Sequence, residues 1–62
     1  MVKNKPILHN WIVMGSRIWG ETYNDDRMPN GTILITSEVV NLDRENGILE
    51  TKNTTYDLGK EL

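Results

Sequence analysis

Apolar residues along this chain fall into short, β-branched runs, each bounded by Gly, Pro, Asn or Asp. The first runs from Ile7 to Trp19, "ILHNWIVMGSRIW", and its Ile, Val and Trp content favours strand over helix. Strict alternation predicts Trp11, Val13, Gly15, Arg17 and Trp19 on one face, with Ile12, Met14, Ser16 and Ile18 on the other. Both faces are then partly apolar, which suits a strand covered by its own core on one side and by a partner chain on the other. Gly15 inside the run marks a bulge, a bend or a close backbone approach.

Residues 20 to 31, "GETYNDDRMPNG", read as a long loop, with Asn30-Gly31 able to supply positive φ where it ends. Residues 32 to 42, "TILITSEVVNL", give the clearest strand. Ile33 and Ile35 share a face, but Val40 and Leu42 take the other, so a kink near Ser37-Glu38 is expected to switch the buried side, as strands do at barrel corners. "DRENG" then closes a hairpin on Asn46-Gly47. "ILET" and "TYDL" make two more strands around the turn "KNT", Gly59 ends the structure, and residues 60 to 62 form a charged tail. Residues 1 to 6, "MVKNKP", are a loose lead-in. No helix or repeat is visible.

Four or five short, bent strands in a single domain covering 1–62 predict an all-β fold: a small, strongly bent antiparallel sheet or an SH3-like barrel. At 62 residues such a domain hides only about 60% of its unfolded surface and needs an additional staple. Cysteine is absent, so disulfides, thiolate metal sites and thiol catalysis are excluded together. Homo-oligomerisation, which would also cover exposed sheet edges, is the staple that remains.

Seven basic and nine acidic residues leave a formal charge of −2 with the signs interspersed. Phosphate neutralisation normally needs a basic excess, so nucleic acid ranks low as a partner. No apolar stretch is long enough to span a bilayer or to form a secretory signal, and the expected location is the cytoplasm.

Candidate chemistry is sparse. The one histidine, His9, lies at a strand start, and neither Ser16 nor Ser37 sits in a nucleophile elbow, so the chain reads as a non-enzyme. Asp25-Asp26, with Glu21 and Asp43, offers hard oxygen ligands, but the spacing matches no calcium loop and turn capping explains the acidic pair equally well. The scattered glycines match no dinucleotide or phosphate-loop fingerprint, and no cofactor is implied.

What does cluster is a set of groups suited to holding a small nucleotide without catalysis. Trp19 and Tyr23 offer stacking surfaces, and Arg27 is the phosphate partner because its fork binds oxyanions bidentately. Thr36 and Ser37 interrupt the best strand, while Thr51, Asn53, Thr54 and Tyr56 supply further hydrogen-bonding groups. The structural alternatives are concrete: Thr is a good strand former, Trp and Tyr commonly serve as core, and hydroxyls satisfy backbone groups at a bulge.

The stretch "WGETYNDDRMPNGTILITSEVVNLD" followed by "ETKNTTYDLG", residues 19 to 59, resembles a group of small phage and prophage proteins. Their shared pattern is an aromatic-Gly start, a loop ending in Asp- or Asn-Gly-Thr, then Thr-Ser-x-Val and finally Thr-x-Asn/Ser-x-x-Tyr-x-Leu-Gly. Asn30 stands where Asp is more usual. The resemblance implies a protein acting in the host cytoplasm against host defence by binding. One such strategy is a sponge that sequesters a cyclic-nucleotide or ADP-ribose-type immune signal. The other expectations are a module that inhibits or regulates a host protein and, ranked lower, a nucleic-acid-binding small barrel.

Overall fold

The computed structural model describes residues 5–62 and is all-β in them; residues 1 to 4 of the expected lead-in lie outside the described residues. Six strands form one mixed sheet: β1 (Ile7–Met14), β2 (Arg17–Tyr23), β3 (Thr32–Ile35), β4 (Val39–Asp43), β5 (Ile48–Thr51) and β6 (Thr55–Leu58), in the order β3-β2-β1-β6-β5-β4. Neighbours pair antiparallel except β1 and β6, which run parallel. The sheet bends strongly without closing. Among the described residues no helix is long and apolar enough to cross a membrane.

The expected first strand is two strands. Gly15, at φ 62°, and Ser16 make a two-residue turn, and Met14 pairs with Arg17 across it. A turn of this length places Met14 and Arg17 on the same face, so the alternation counted from Trp11 reverses before Trp19. Trp11 and Ile18 therefore point inward, whereas Trp19 lies on the outer face. β2 also takes Gly20 to Tyr23 from the expected loop, which shortens to 24–31.

A second irregularity sets where Trp11 goes. The β1–β2 register jumps from His9↔Glu21 to Ile12↔Trp19, so Asn10 and Trp11 together oppose Gly20. Asn10 takes φ 51°, a conformation Asn tolerates, and this bulge turns Trp11 to the same side as Leu8. Gly20 makes room there: a Cβ on it would stand 2.8 Å from Leu8 Cγ and 3.0 Å from Trp11 Cβ. Leu8, Trp11, Ile18, Leu49 and Tyr56 form the core, with Leu34, Val39, Leu42 and Leu58 packed around them.

The expected kink within residues 32 to 42 is a full break at Thr36 to Glu38. It sends β3 and β4 to opposite edges of the sheet. Backbone bonds hold this strap: Thr36 N donates to Ile18 O, Val39 N to Ser16 O and Lys52 N to Glu38 O, at 2.8, 2.8 and 3.0 Å. Asp43 accepts from the Asn46 amide and side chain, and Gly47 takes φ 68°, so the β4–β5 turn forms as its residues predict. The Asn46 side chain first, then its backbone amide, holds the Asp43 carboxyl below its usual range.

Residues 60 to 62 are not a free tail. Trp11 N donates to Lys60 O, Leu62 N donates to Trp11 O, and Glu61 pairs with Arg44 at 3.0 Å. Gly59 also carries the chain under the His9 ring, where a Cβ has no room.

Candidate functional site

Three segments far apart in sequence meet at one end of the bent sheet. The 24–31 loop brings Arg27 and Met28, the strap brings Thr36 and Ser37 behind Leu34 and Ile35, and the β5–β6 turn brings Asn53, Thr54 and Tyr56. They line a cleft of about 160 Å³. Six of the residues expected to contact a ligand, Arg27, Thr36, Ser37, Asn53, Thr54 and Tyr56, are thus together. Trp19 and Tyr23 are not. Trp19 lies on the outer face between Ile12 and Ile35, and Tyr23 packs edge-on against His9 with ring centroids 5.1 Å apart.

Most of the gathered hydroxyls already have work inside the chain. Thr36 Oγ1 accepts from Ile18 N at 3.1 Å and donates to Ser37 O at 2.8 Å. Ser37 Oγ donates to Thr51 Oγ1 at 3.0 Å, which in turn donates to Thr54 O and accepts from Thr54 N. This relay ties the strap to the β5–β6 turn. Tyr56 is buried and forms the floor of the cleft as part of the core.

Arg27 is likewise committed. Its Nε and one terminal nitrogen donate to the two oxygens of Asp25 at 2.8 and 2.7 Å, and its backbone N donates to Oδ1 at 3.0 Å. The bidentate fork counted on for phosphate is therefore occupied by a carboxylate. The other terminal nitrogen reaches Thr54 Oγ1 at 3.3 Å. Asp25, and after it the Tyr56 hydroxyl, raise the Arg27 guanidinium still further above its usual range. What the cleft presents outward is one N–H edge of Arg27, the Thr54 hydroxyl proton and the exposed Asn53 amide, over the apolar sides of Met28 and Leu34.

No protein-family model matches the chain, no curated protein matches it, and no solved structure matches it. The cleft is therefore read from its own chemistry. The acidic residues considered for a metal are not brought together: Asp25 serves Arg27, Asp43 caps its turn, and Glu21 accepts from Asn10 and Tyr23. Among the described residues no three His, Cys, Asp or Glu side chains are grouped to hold a metal ion.

Three cleft-lining residues escaped the sequence reading: Met28, Leu34 and Ile35. Thr51, expected as a ligand group, instead relays the hydroxyl bonds. The Asp25-x-Arg27 spacing in a turn was the one available signal for the pair that consumes the Arg27 fork.

That pair makes a pH prediction. Arg27 hydrogen bonding outweighs the opposing effect of burial and lowers the Asp25 pKa from 3.8 to about 2. A depressed folded-state pKa stabilises the fold above the unfolded value and is lost as pH falls, here between about pH 4 and pH 2. The Arg27 side chain is 53% exposed, so solvent screening limits the gain to about 1 kcal/mol. Urea midpoints at pH 5, 3 and 2 are expected to fall more steeply for the wild type than for Asp25→Asn. Parallel profiles would remove the pair from the acid response.

Proposed function

We propose that this protein is a non-catalytic binder that takes up a nucleotide-derived signal, a cyclic nucleotide or an ADP-ribose derivative, and sequesters it in the host cytoplasm as a homo-oligomer countering host defence. The observation that supports this most directly is the convergence of Arg27, Asn53 and Thr54 on one cleft beside the apolar sides of Met28 and Leu34. Ribose and phosphate oxygens accept from such N–H and O–H donors, and an apolar wall covers a sugar or base face. The resemblance of residues 19 to 59 to small phage proteins supports the setting.

Cleft size refines the reading. At about 160 Å³ it is well short of the roughly 300–1,000 Å³ of pockets that engulf a drug-sized ligand. It suits one moiety, a ribose or a single phosphate, with the rest of the ligand lying across the rim. Because Asp25 neutralises Arg27, recognition rests on hydrogen bonding more than on net charge.

Thermal unfolding against cyclic dinucleotides, cyclic trinucleotides and ADP-ribose derivatives tests this. A ligand at about 100 times its dissociation constant adds roughly 2.7 kcal/mol of stability. For so small a domain the midpoint should rise by more than about 8 °C. Asn53→Ala is the informative variant, since this side chain is exposed and has no hydrogen-bond partner among the described residues, and it should weaken a true ligand about tenfold while leaving the unliganded midpoint in place. No shift from any compound, with the fold intact, turns the reading to a protein partner.

A further inference from the structure

The outer face of β1, β2 and β3 carries an apolar stripe that the core does not use. Ile12, Trp19 and Ile35 sit side by side across the three strands, with Met14 next to Arg17 on one flank and Ile33 next to Glu21 on the other. Ile33 and Ile35 are 57% and 56% exposed, and Met14 is 48% exposed. Contiguous apolar side chains of this kind on a sheet face mark a surface that meets another surface.

The charges on this face show what it meets. Along β2 the outward positions read Arg17, Trp19, Glu21: a cation, an aromatic at the centre and an anion, equally spaced. Among the described residues Glu21 uses only Oε1, for Asn10 and the Tyr23 hydroxyl. Arg17 uses one terminal nitrogen, on Thr36 O at 3.3 Å. Rotating the chain by 180° about an axis lying across the strands above Trp19 sets Trp19 on Trp19, Ile12 on Ile12 and Ile35 on Ile35. The same rotation places Arg17 opposite the second copy's glutamate at 21, and Glu21 opposite its arginine at 17. The surface is self-complementary in shape, hydropathy and charge, as a two-fold interface requires.

We infer that two copies of this chain pack face to face through the outer side of β1–β3, with the two-fold at Trp19 and reciprocal Arg17–Glu21 ion pairs between copies. Area sets the scale of the contact. A stable contact needs about 500 Å² from each side, near an eighth of the 4152 Å² surface of the chain. Strands of eight, seven and four residues, at about 3.4 Å per residue and about 4.8 Å spacing, span on the order of 300 Å² before the relief of the side chains is counted. Stacked sheets sit about 10 Å apart, the separation that interdigitated Ile and Trp side chains fill. The dimer also answers the stability question of a cysteine-free chain with five buried apolar side chains among its described residues. Its ion pairs and central tryptophan lie outside the cleft, and Ile35 is the residue the two surfaces share.

Sedimentation equilibrium on the full chain from about 1 µM to 1 mM, without nucleotide, tests it, with circular dichroism confirming each variant's fold. The wild type should sediment at twice its 7.1 kDa mass. Arg17→Glu and Glu21→Arg each set like charges together and should weaken association at least about tenfold, while the double reversal recovers it. Ile12→Glu should yield a folded monomer. A wild type that stays monomeric, a dimer indifferent to Ile12→Glu, or single reversals that the double does not repair would overturn the proposal. Ligand titration of the Ile12→Glu monomer then reads the cleft separately, so either idea can fail alone.

Discussion

Trp11→Ala is expected to give a protein with no cooperative unfolding transition at 25 °C. Trp11 is 2% exposed and belongs to the small core. Its Cβ lies against Gly20, where any side chain would collide with it, and its Nε1 donates to Gly59 O at 3.1 Å. Its backbone holds Lys60 and Leu62, and the Arg44 guanidinium, itself gripped by Glu61, lies 5.5 Å from the ring centroid. Truncating a buried Trp costs about 3–5 kcal/mol. A chain of this length has about 3–9 kcal/mol in total, from roughly 0.05–0.15 kcal/mol per residue. The loss therefore takes from about a third to all of what there is, and the Gly59 carbonyl left without its donor adds to it. Near-ultraviolet circular dichroism and a thermal scan read this directly, and a sharp transition within about 5 °C of the wild type would show that the core does not depend on this ring. Trp11→Phe keeps most of the apolar volume but strips the Gly59 carbonyl of its donor, and it should fall between the two.

How much of this could be read in advance follows from the same residues. The strands "ILET" and "TYDL", the Asn46-Gly47 turn and the break near Ser37-Glu38 were legible because each is announced by local chemistry: β-branched runs, a Gly able to take positive φ, a switch in apolar phase. The two faces of the first segment were not. Alternation is reliable only while the count is unbroken, and here a bulge at Asn10 and a turn at Gly15 each reset it. Trp11 and Trp19, eight residues apart, therefore end on opposite faces. Asn10 gave no warning, since an Asn inside a strand looks like any polar outward residue. Parallel pairing of β1 with β6 is a long-range outcome that no window of sequence contains.

For the candidate site, residue type predicted proximity better than role. Arg27, Thr36, Ser37, Asn53, Thr54 and Tyr56 do converge. Yet the hydrogen-bonding capacity that singled them out is largely spent on one another, as polar side chains near a small core must be. Asn53, the Thr54 hydroxyl proton and the outer edge of Arg27 are the groups left over, and the proposed ligand would be recognised with those.

The second large effect is expected at Thr36, where the polar pair in the best strand finds its explanation. At the end of β3 the chain turns away from β2 before the ladder is complete. The Thr36 carbonyl, which would accept from Ile18 N in an unbroken antiparallel pair, accepts from Arg17 instead, at 3.3 Å. Ile18 N–H is buried and would be left without a partner. Thr36 Oγ1 takes the place of the departed carbonyl at 3.1 Å, and passes its own proton to Ser37 O at 2.8 Å, fixing the strap as it leaves. Thr36→Val preserves the shape and removes both bonds, stranding a buried donor at a cost of about 1–3 kcal/mol. In a domain this small each kcal/mol moves the midpoint by about 4–8 °C, so a drop of around 10 °C is expected. Thr36→Ser, which keeps the oxygen, should lose less than half of that. The Ile18 amide reports the cause: its hydrogen exchange should accelerate in the Val variant and remain slow in the Ser variant. Equal midpoints for the two variants would mean that the methyl group, and not the hydroxyl, is what the strap needs.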